Sequence, residues 1–208
     1  MKNIDIINLL RRFIFLVLGA ALNGFAIGLC NQSGWGADAI TVFYGGLSST
    51  FNITVGAAST CTAIGMLILA GIIDWRQLGL GTLITPFFTQ FGIDFAMGLI
   101  PHQQGWITFV MFACGLLLMA IGIAAMIDAN LGKFSYDALI LGLVDKMKKP
   151  FHMIRWTCDI LLLVSGMILG GSVTIGTFVA IFALGKLIPF FTNQFNLRFK
   201  MQNKEQYS

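Results

Sequence analysis

Long apolar runs separated by short polar ones set the pattern of this chain. Six of them, 13–30, 54–73, 79–100, 106–127, 151–170 and 175–195, approach the roughly 20 residues that a helix needs to cross a bilayer. Two further apolar stretches, 37–50 and 135–146, are too short to cross and predict re-entrant or interfacial helices. The breaks have chemistry that ends helices. Asn31 to Gly36 is a polar turn with an interfacial Trp35, Pro101 to Gly105 is a short polar loop, and Lys148-Lys149-Pro150 closes one helix and opens the next. The predicted fold is all-α: one transmembrane bundle over residues 1–208, with six spanning helices, two short ones and a polar tail at 196–208.

Composition supports that reading. Hydrophobic residues make up 57% of the chain and charged residues 11%, whereas about a quarter of a soluble domain is charged. Such a chain cannot cover a water-facing surface, so its expected partner is a lipid bilayer. The net charge of +4 does not point to nucleic acid, because the basic residues sit between apolar runs and form no stripe. Lys and Arg collect in cytoplasmic loops. With the N-terminus inside and the short stretches returning to their own side, twelve of the thirteen basic residues are cytoplasmic. The outer segments 31–53, 101–105 and 171–174 hold none, and Lys186 lies within a span. Both ends are then cytoplasmic, in a bacterial cell membrane. An eight-crossing arrangement also keeps both ends inside but puts Arg76 and Lys133 outside. Lys2, Arg11 and Arg12 precede the first apolar run as in a signal peptide; the rest of the chain is equally apolar, so 13–30 is expected to be a retained span.

The two halves echo each other. NQSGWGADAI at 31–40 resembles NLGKFSYDAL at 130–139, at an offset of 99. The glycine-bounded run from Gly65 echoes the one from Gly166, Gly81-Thr82 echoes Gly176-Thr177, and Gly92 matches Gly185. These matches, in order, define two repeats, about 13–100 and 106–195. Three full spans in each would invert the second copy, an architecture common in secondary transporters.

Asp38-Ala39-Ile40, Gly81-Thr82, Gly92-Ile93-Asp94, the Arg155 and Asp159 pair and the run from Gly170 to Thr177 together resemble the YczE/YitT-type group of small bacterial membrane proteins, YczE more closely. The resemblance covers most of 13–195. It implies a membrane location and a fold rather than a reaction.

Charges inside a membrane are expensive, so each needs a partner or a task. Asp38 and Asp137 are repeat partners at the starts of the short helices, where a carboxylate meets the positive end of the helix dipole. They either stabilise those starts or form an ion site where broken helices meet. Arg155 and Asp159, four residues apart, can pair on one helix as a structural link or a gate. Asp94 and Lys186 are the deepest charges and fall at nearly equivalent places in the repeats, which predicts an intramembrane ion pair. Pro86 and Pro189 free the carbonyls of Thr82 and Gly185, either as ordinary kinks or as cavity lining. Ala20, Gly24 and Gly28 form a small-residue ridge for close packing within the bundle or against a partner protein.

No enzyme, metal or cofactor motif appears. Cys30, Cys61, Cys114 and Cys158 form no C-x-x-C pair and read as packing residues. His102 and His152 lie in loops expected on opposite sides. Three functions remain open: a secondary transporter or permease for a small solute, a substrate-binding subunit of a multi-component transporter, or an accessory protein that supports another membrane protein. A partner membrane protein or a second copy of the chain fits any of them.

Overall fold

The computed structural model describes residues 6–205 except Ala37, Arg76, Gln77, Gln103, Asn130, Gly132, Lys133 and Pro150. Every regular element among them is a helix: α1 (Ile6–Gln32), α2 (Ala39–Phe51), α3 (Val55–Asp74), α4 (Leu80–Leu99), α5 (Ile107–Ala129), α6 (Ser135–Met147), α7 (Phe151–Ile168) and α8 (Ile175–Glu205). Each apolar stretch of the sequence has become one helix. Four helices contain segments long and apolar enough to cross a membrane: Leu9–Gln32, Val55–Asp74, Ile107–Ala129 and Ile175–Phe195. The two other predicted spans, at 79–100 and 151–170, are the helices α4 and α7, whose polar residues dilute their hydropathy.

Where those polar residues point is informative. On α4, Thr82, Thr85 and Thr89 are buried, while Leu83, Phe87, Phe91, Phe95 and Leu99 are exposed. Their four-residue spacing makes an apolar row on the outer face, the reverse of a water-soluble helix. A helix that hides threonines and displays phenylalanines is matched to hydrocarbon as its solvent.

The two short helices have 13 residues each, or about 20 Å at 1.5 Å per residue, against a hydrocarbon core about 30 Å thick. Both stop the same way. Asn52 (φ 51°) and Lys148 (φ 54°) follow their last turns in the left-handed conformation, and no other non-glycine among the described residues has positive φ.

Helix α1 lies at the centre, against α4 on one side and α5 on the other. Close approach to α4 depends on glycine. A Cβ on Gly24 would lie 2.1 Å from the carbonyl oxygen of Thr89, and one on Gly92 would lie 2.4 Å from that of Ala21. The Ala20–Gly24–Gly28 ridge is therefore used up inside the bundle and is not a docking surface. Successive contacts also give direction. Gly24 meets Thr89, Gly28 meets Ala96, and Gln32 donates to the carbonyl of Met97 at 2.9 Å, so α1 and α4 run parallel. Against α5 the order reverses: Gly19 meets Gly122, and Cys30 meets Gly115 and the carbonyl of Phe112. Helices α1 and α5 are antiparallel.

The packing partners repeat when four is added to each helix number. The α1–α4 pair is matched by α5–α8, α2–α3 by α6–α7, and α2–α7 by α6–α3. Loop contacts follow the same rule. The amide of Gly81, at the start of α4, donates to the carbonyl of Leu131 after α5; Thr174, before α8, donates to the carbonyl of Trp35 after α1. The pattern breaks most clearly at one pair. Helices α3 and α4 pack closely, whereas α7 and α8 part to leave an apolar groove of about 280 Å³ lined by Trp156, Leu163 and Phe182 among others.

Gly24→Ala should destabilise the bundle by about 1–3 kcal/mol through overpacking against α4, read as a fall in the unfolding temperature of the purified protein. Gly65→Ala, with nothing within 4 Å of the new methyl, should show no such fall. Equal behaviour of the two variants would remove the close α1–α4 crossing.

Candidate functional site

Two helix starts meet at one cluster. Asp38 is the N-cap of α2, with φ −72° and ψ 174°. Its Oδ1 accepts from the Thr41 amide at 3.3 Å and from the Thr41 hydroxyl at 2.5 Å. Part of its task is thus the stabilisation of a helix start. Asp137, in the first turn of α6, is buried and bound differently: its Oδ1 accepts from Nη1 of Arg155 at 2.8 Å.

Arg155 is the hub. It faces Asp137 across α6 and α7, and its Nε lies 3.7 Å from Oδ2 of Asp159 one turn along α7. Its guanidinium also sits 5.2 Å from the ring centroid of Tyr136. Tyr136 completes the circuit by donating its hydroxyl to Oδ1 of Asp159 at 2.5 Å. The expected Arg155–Asp159 pair is present, but its shorter contact is with Asp137, which the sequence had grouped with other residues.

A small cavity of about 20 Å³ adjoins the cluster, lined by Asn23, Asp38, Tyr44, Tyr136, Asp137 and Arg155 with Ile27, Ile40, Met119, Ile123 and Phe134. That volume admits one water-sized particle, since a single probe sphere needs about 10–15 Å³. Five helices contribute: α1, α2, α5, α6 and α7. Asn23 and Met119 sit near the middles of α1 and α5, so the cavity lies about halfway along the central helix pair. Asn23 is 3% exposed, and its Oδ1 finds no hydrogen-bond partner among the described residues. Asn23, Tyr44 and Tyr136 were not candidates in the sequence. Asn23 did leave a signal, as the one amide inside the first apolar run.

The predicted Asp94–Lys186 pair does not form. Asp94 accepts from the hydroxyl of Thr54 at 3.1 Å and from the amide of Gly56 at 3.2 Å. A free N–H at the start of α3, that of Gly56, and the Thr54 hydroxyl thus serve the carboxylate beside the positive end of that helix. Lys186 is exposed on α8. Equivalent sequence places in the two repeats did not bring these charges together, because α4 packs on α1 and α8 packs on α5. The structure thus gathers Asp38, Asp137, Arg155 and Asp159 and leaves Asp94 and Lys186 apart. Among the described residues, no three His, Cys, Asp or Glu side chains converge closely enough to hold a metal ion. All four cysteines are free.

Residues 10–193 match a family of unknown function, DUF6198, and the chain belongs to that family. It is 26% identical over 200 residues to the uncharacterised protein YyaS of Bacillus subtilis, covering 94% of this chain and all of that protein. An uncharacterised protein of Haemophilus influenzae is 25% identical over 179 residues, covering 86% of this chain and 82% of its own length. No solved structure matches. The relatives are uncharacterised bacterial proteins, as the resemblance to small bacterial membrane proteins implied; neither match names the YczE/YitT group.

Arg155→Leu leaves Asp137 and Asp159 without their cation and should cost about 3–5 kcal/mol. Tyr136→Phe removes one hydrogen bond to a carboxylate and should cost about 1.5–3 kcal/mol. Their effects should fall short of additivity in a double-mutant cycle on unfolding temperature. Full additivity would mean that the four groups do not act as one network.

Proposed function

We propose that this chain is a small secondary carrier of a bacterial cytoplasmic membrane, with six spans, two half-length helices and both termini inside. The observation that carries the reading is the convergence of the starts of α2 and α6, with Asp38 and Asp137, on one small cavity about halfway along α1 and α5. In carriers, broken helices present their ends to solute and ion at the bilayer midplane, where irregular backbone is tolerated because it lines a cavity.

Helix directions support two inverted repeats. If all eight helices crossed in alternation, α1 and α5 would be parallel and α1 and α4 antiparallel. The contacts run the other way. With α2 and α6 returning to their own sides, α1 and α4 both run outward and α5 runs inward. The axis relating the halves then lies in the membrane plane, and the same site can open to either face by rocking one repeat against the other. The salt link from Arg155 to Asp137 joins α7 to a half-length helix, where a change of partner would accompany such motion.

Two measurements test this. In a cysteine-free background, Asn52→Cys should label from outside and Lys149→Cys from inside; an eight-crossing chain would put both inside. Purified protein in liposomes should then take up a small solute by itself. Tight solute binding without uptake would make the chain a binding subunit that needs partners. A stoichiometric partner with no solute binding would make it an accessory protein.

A further inference from the structure

The cavity beside Asp38 has a charge balance that its own residues do not close. Asp38, Asp137 and Asp159 bring three carboxylates, and Arg155 brings one guanidinium. The two helix starts offset part of the difference, each acting as roughly half a positive charge. With all three carboxylates ionised, negative charge is left over in a setting where uncompensated charge is strongly disfavoured.

The oxygens are distributed unevenly. Arg155 serves Asp137 and Asp159, and Tyr136 serves Asp159 as well. Among the described residues, the donor to the Asp38 side chain is Thr41, whose hydroxyl and amide both bind Oδ1. Across the same cavity, the buried amide oxygen of Asn23 has no donor. A water molecule would fit the space and satisfy Asn23, but it would leave the charge uncompensated. A particle of that size that attracts oxygen lone pairs and carries positive charge meets both needs. The absence of a three-carboxylate chelate among the described residues argues against a divalent ion. The two groups with spare lone pairs, the Asn23 amide and the Asp38 carboxylate, both offer oxygen, which suits a hard cation.

We infer that the cavity between Asn23 and Asp38 is a binding site for one small monovalent cation of sodium size, held by the Asn23 amide oxygen and the Asp38 carboxylate. Occupancy ties the middle of α1 to the start of α2. The inference deepens the carrier reading and rests on it for any coupling role, since cation entry would then accompany the movement of one repeat against the other. Binding itself requires only the cavity.

The test is equilibrium binding of radiolabelled sodium ion to the full-length protein in nanodiscs, with unfolding temperature measured in sodium, potassium and choline chlorides at matched ionic strength. Wild type should bind one sodium per chain, displaced by unlabelled sodium but not by choline. It should melt about 4 °C or more higher at a hundredfold excess over Kd. Asn23→Ala should weaken binding at least tenfold. Asp38→Ser, which keeps an N-cap oxygen but removes the charge, should do the same. Asp94→Asn, outside the cavity, should bind like wild type.

Absence of saturable binding in cooperatively folded wild type would overturn the site. So would undiminished binding in folded Asn23→Ala, or stabilisation by acid alone with no dependence on sodium, which would make the occupant a proton on the carboxylate. Sodium binding without solute uptake in liposomes would sink the carrier reading and leave this site standing. Uptake without sodium binding would do the reverse.

Discussion

A charge removed from water must find its counter-charge within the protein, and the bundle is arranged around that requirement. Arg155 answers two carboxylates at once: Asp137 on the facing helix and Asp159 one turn away on its own. Tyr136 fixes the second carboxylate from the start of α6. These contacts join a half-length helix to a longer one. In hydrocarbon, helix association cannot draw on the hydrophobic effect that folds soluble domains, so packing and polar contacts must hold it. Each half-length helix also begins inside the bundle and needs partners for its first amides. The Asp38 cap supplies one at α2.

Close packing provides the frame for those contacts. α1 can lie against both α4 and α5 because Gly19, Gly24 and Gly28 let backbone meet backbone on its two faces. Only a helix with such faces can stand beside its own repeat partner and beside the last helix of its repeat. The central α1–α5 pair thereby fixes the relation between the halves. Two equivalent helices packed antiparallel are exchanged by an axis perpendicular to both. The loop contacts of Gly81 with Leu131 and of Thr174 with Trp35 carry that relation outward to α4 and α8.

Much of this was legible in the sequence, and the failures have a common cause. Hydropathy located every helix, and the length of the apolar runs separated the two short helices from the rest. The four-residue spacing of Arg155 and Asp159 gave a correct pair, because a helix fixes which of its own residues are neighbours. The echo of Asp38 in Asp137 correctly placed both at helix starts. What the sequence could not supply was lateral position. Asp94 and Lys186 occupy similar places in their repeats, but α4 packs on α1 and α8 on α5, on opposite sides of the central pair. Asp94 instead found the Gly56 amide and the Thr54 hydroxyl at the start of α3. Asn23 stayed hidden for the same reason: nothing in an apolar run says which face of the helix meets a cavity.

The departure from symmetry near the cavity bears most on function. Under the offset of 101 that aligns Gly65 with Gly166, Arg155 and Asp159 correspond to Thr54 and Ala58. The first repeat therefore has no counterpart to the guanidinium that neutralises Asp137. The two aspartates share a place in the fold but not a condition: one is bound to arginine, the other to a threonine. A purely structural duplication would have no need of this difference, since a threonine cap serves a helix start in either half. Keeping a carboxylate at Asp38 while Arg155 is paired with Asp137 and Asp159 leaves charge that something mobile can answer. The unequal partners of two equivalent residues thus mark the side of the cavity on which an exchangeable ion would act.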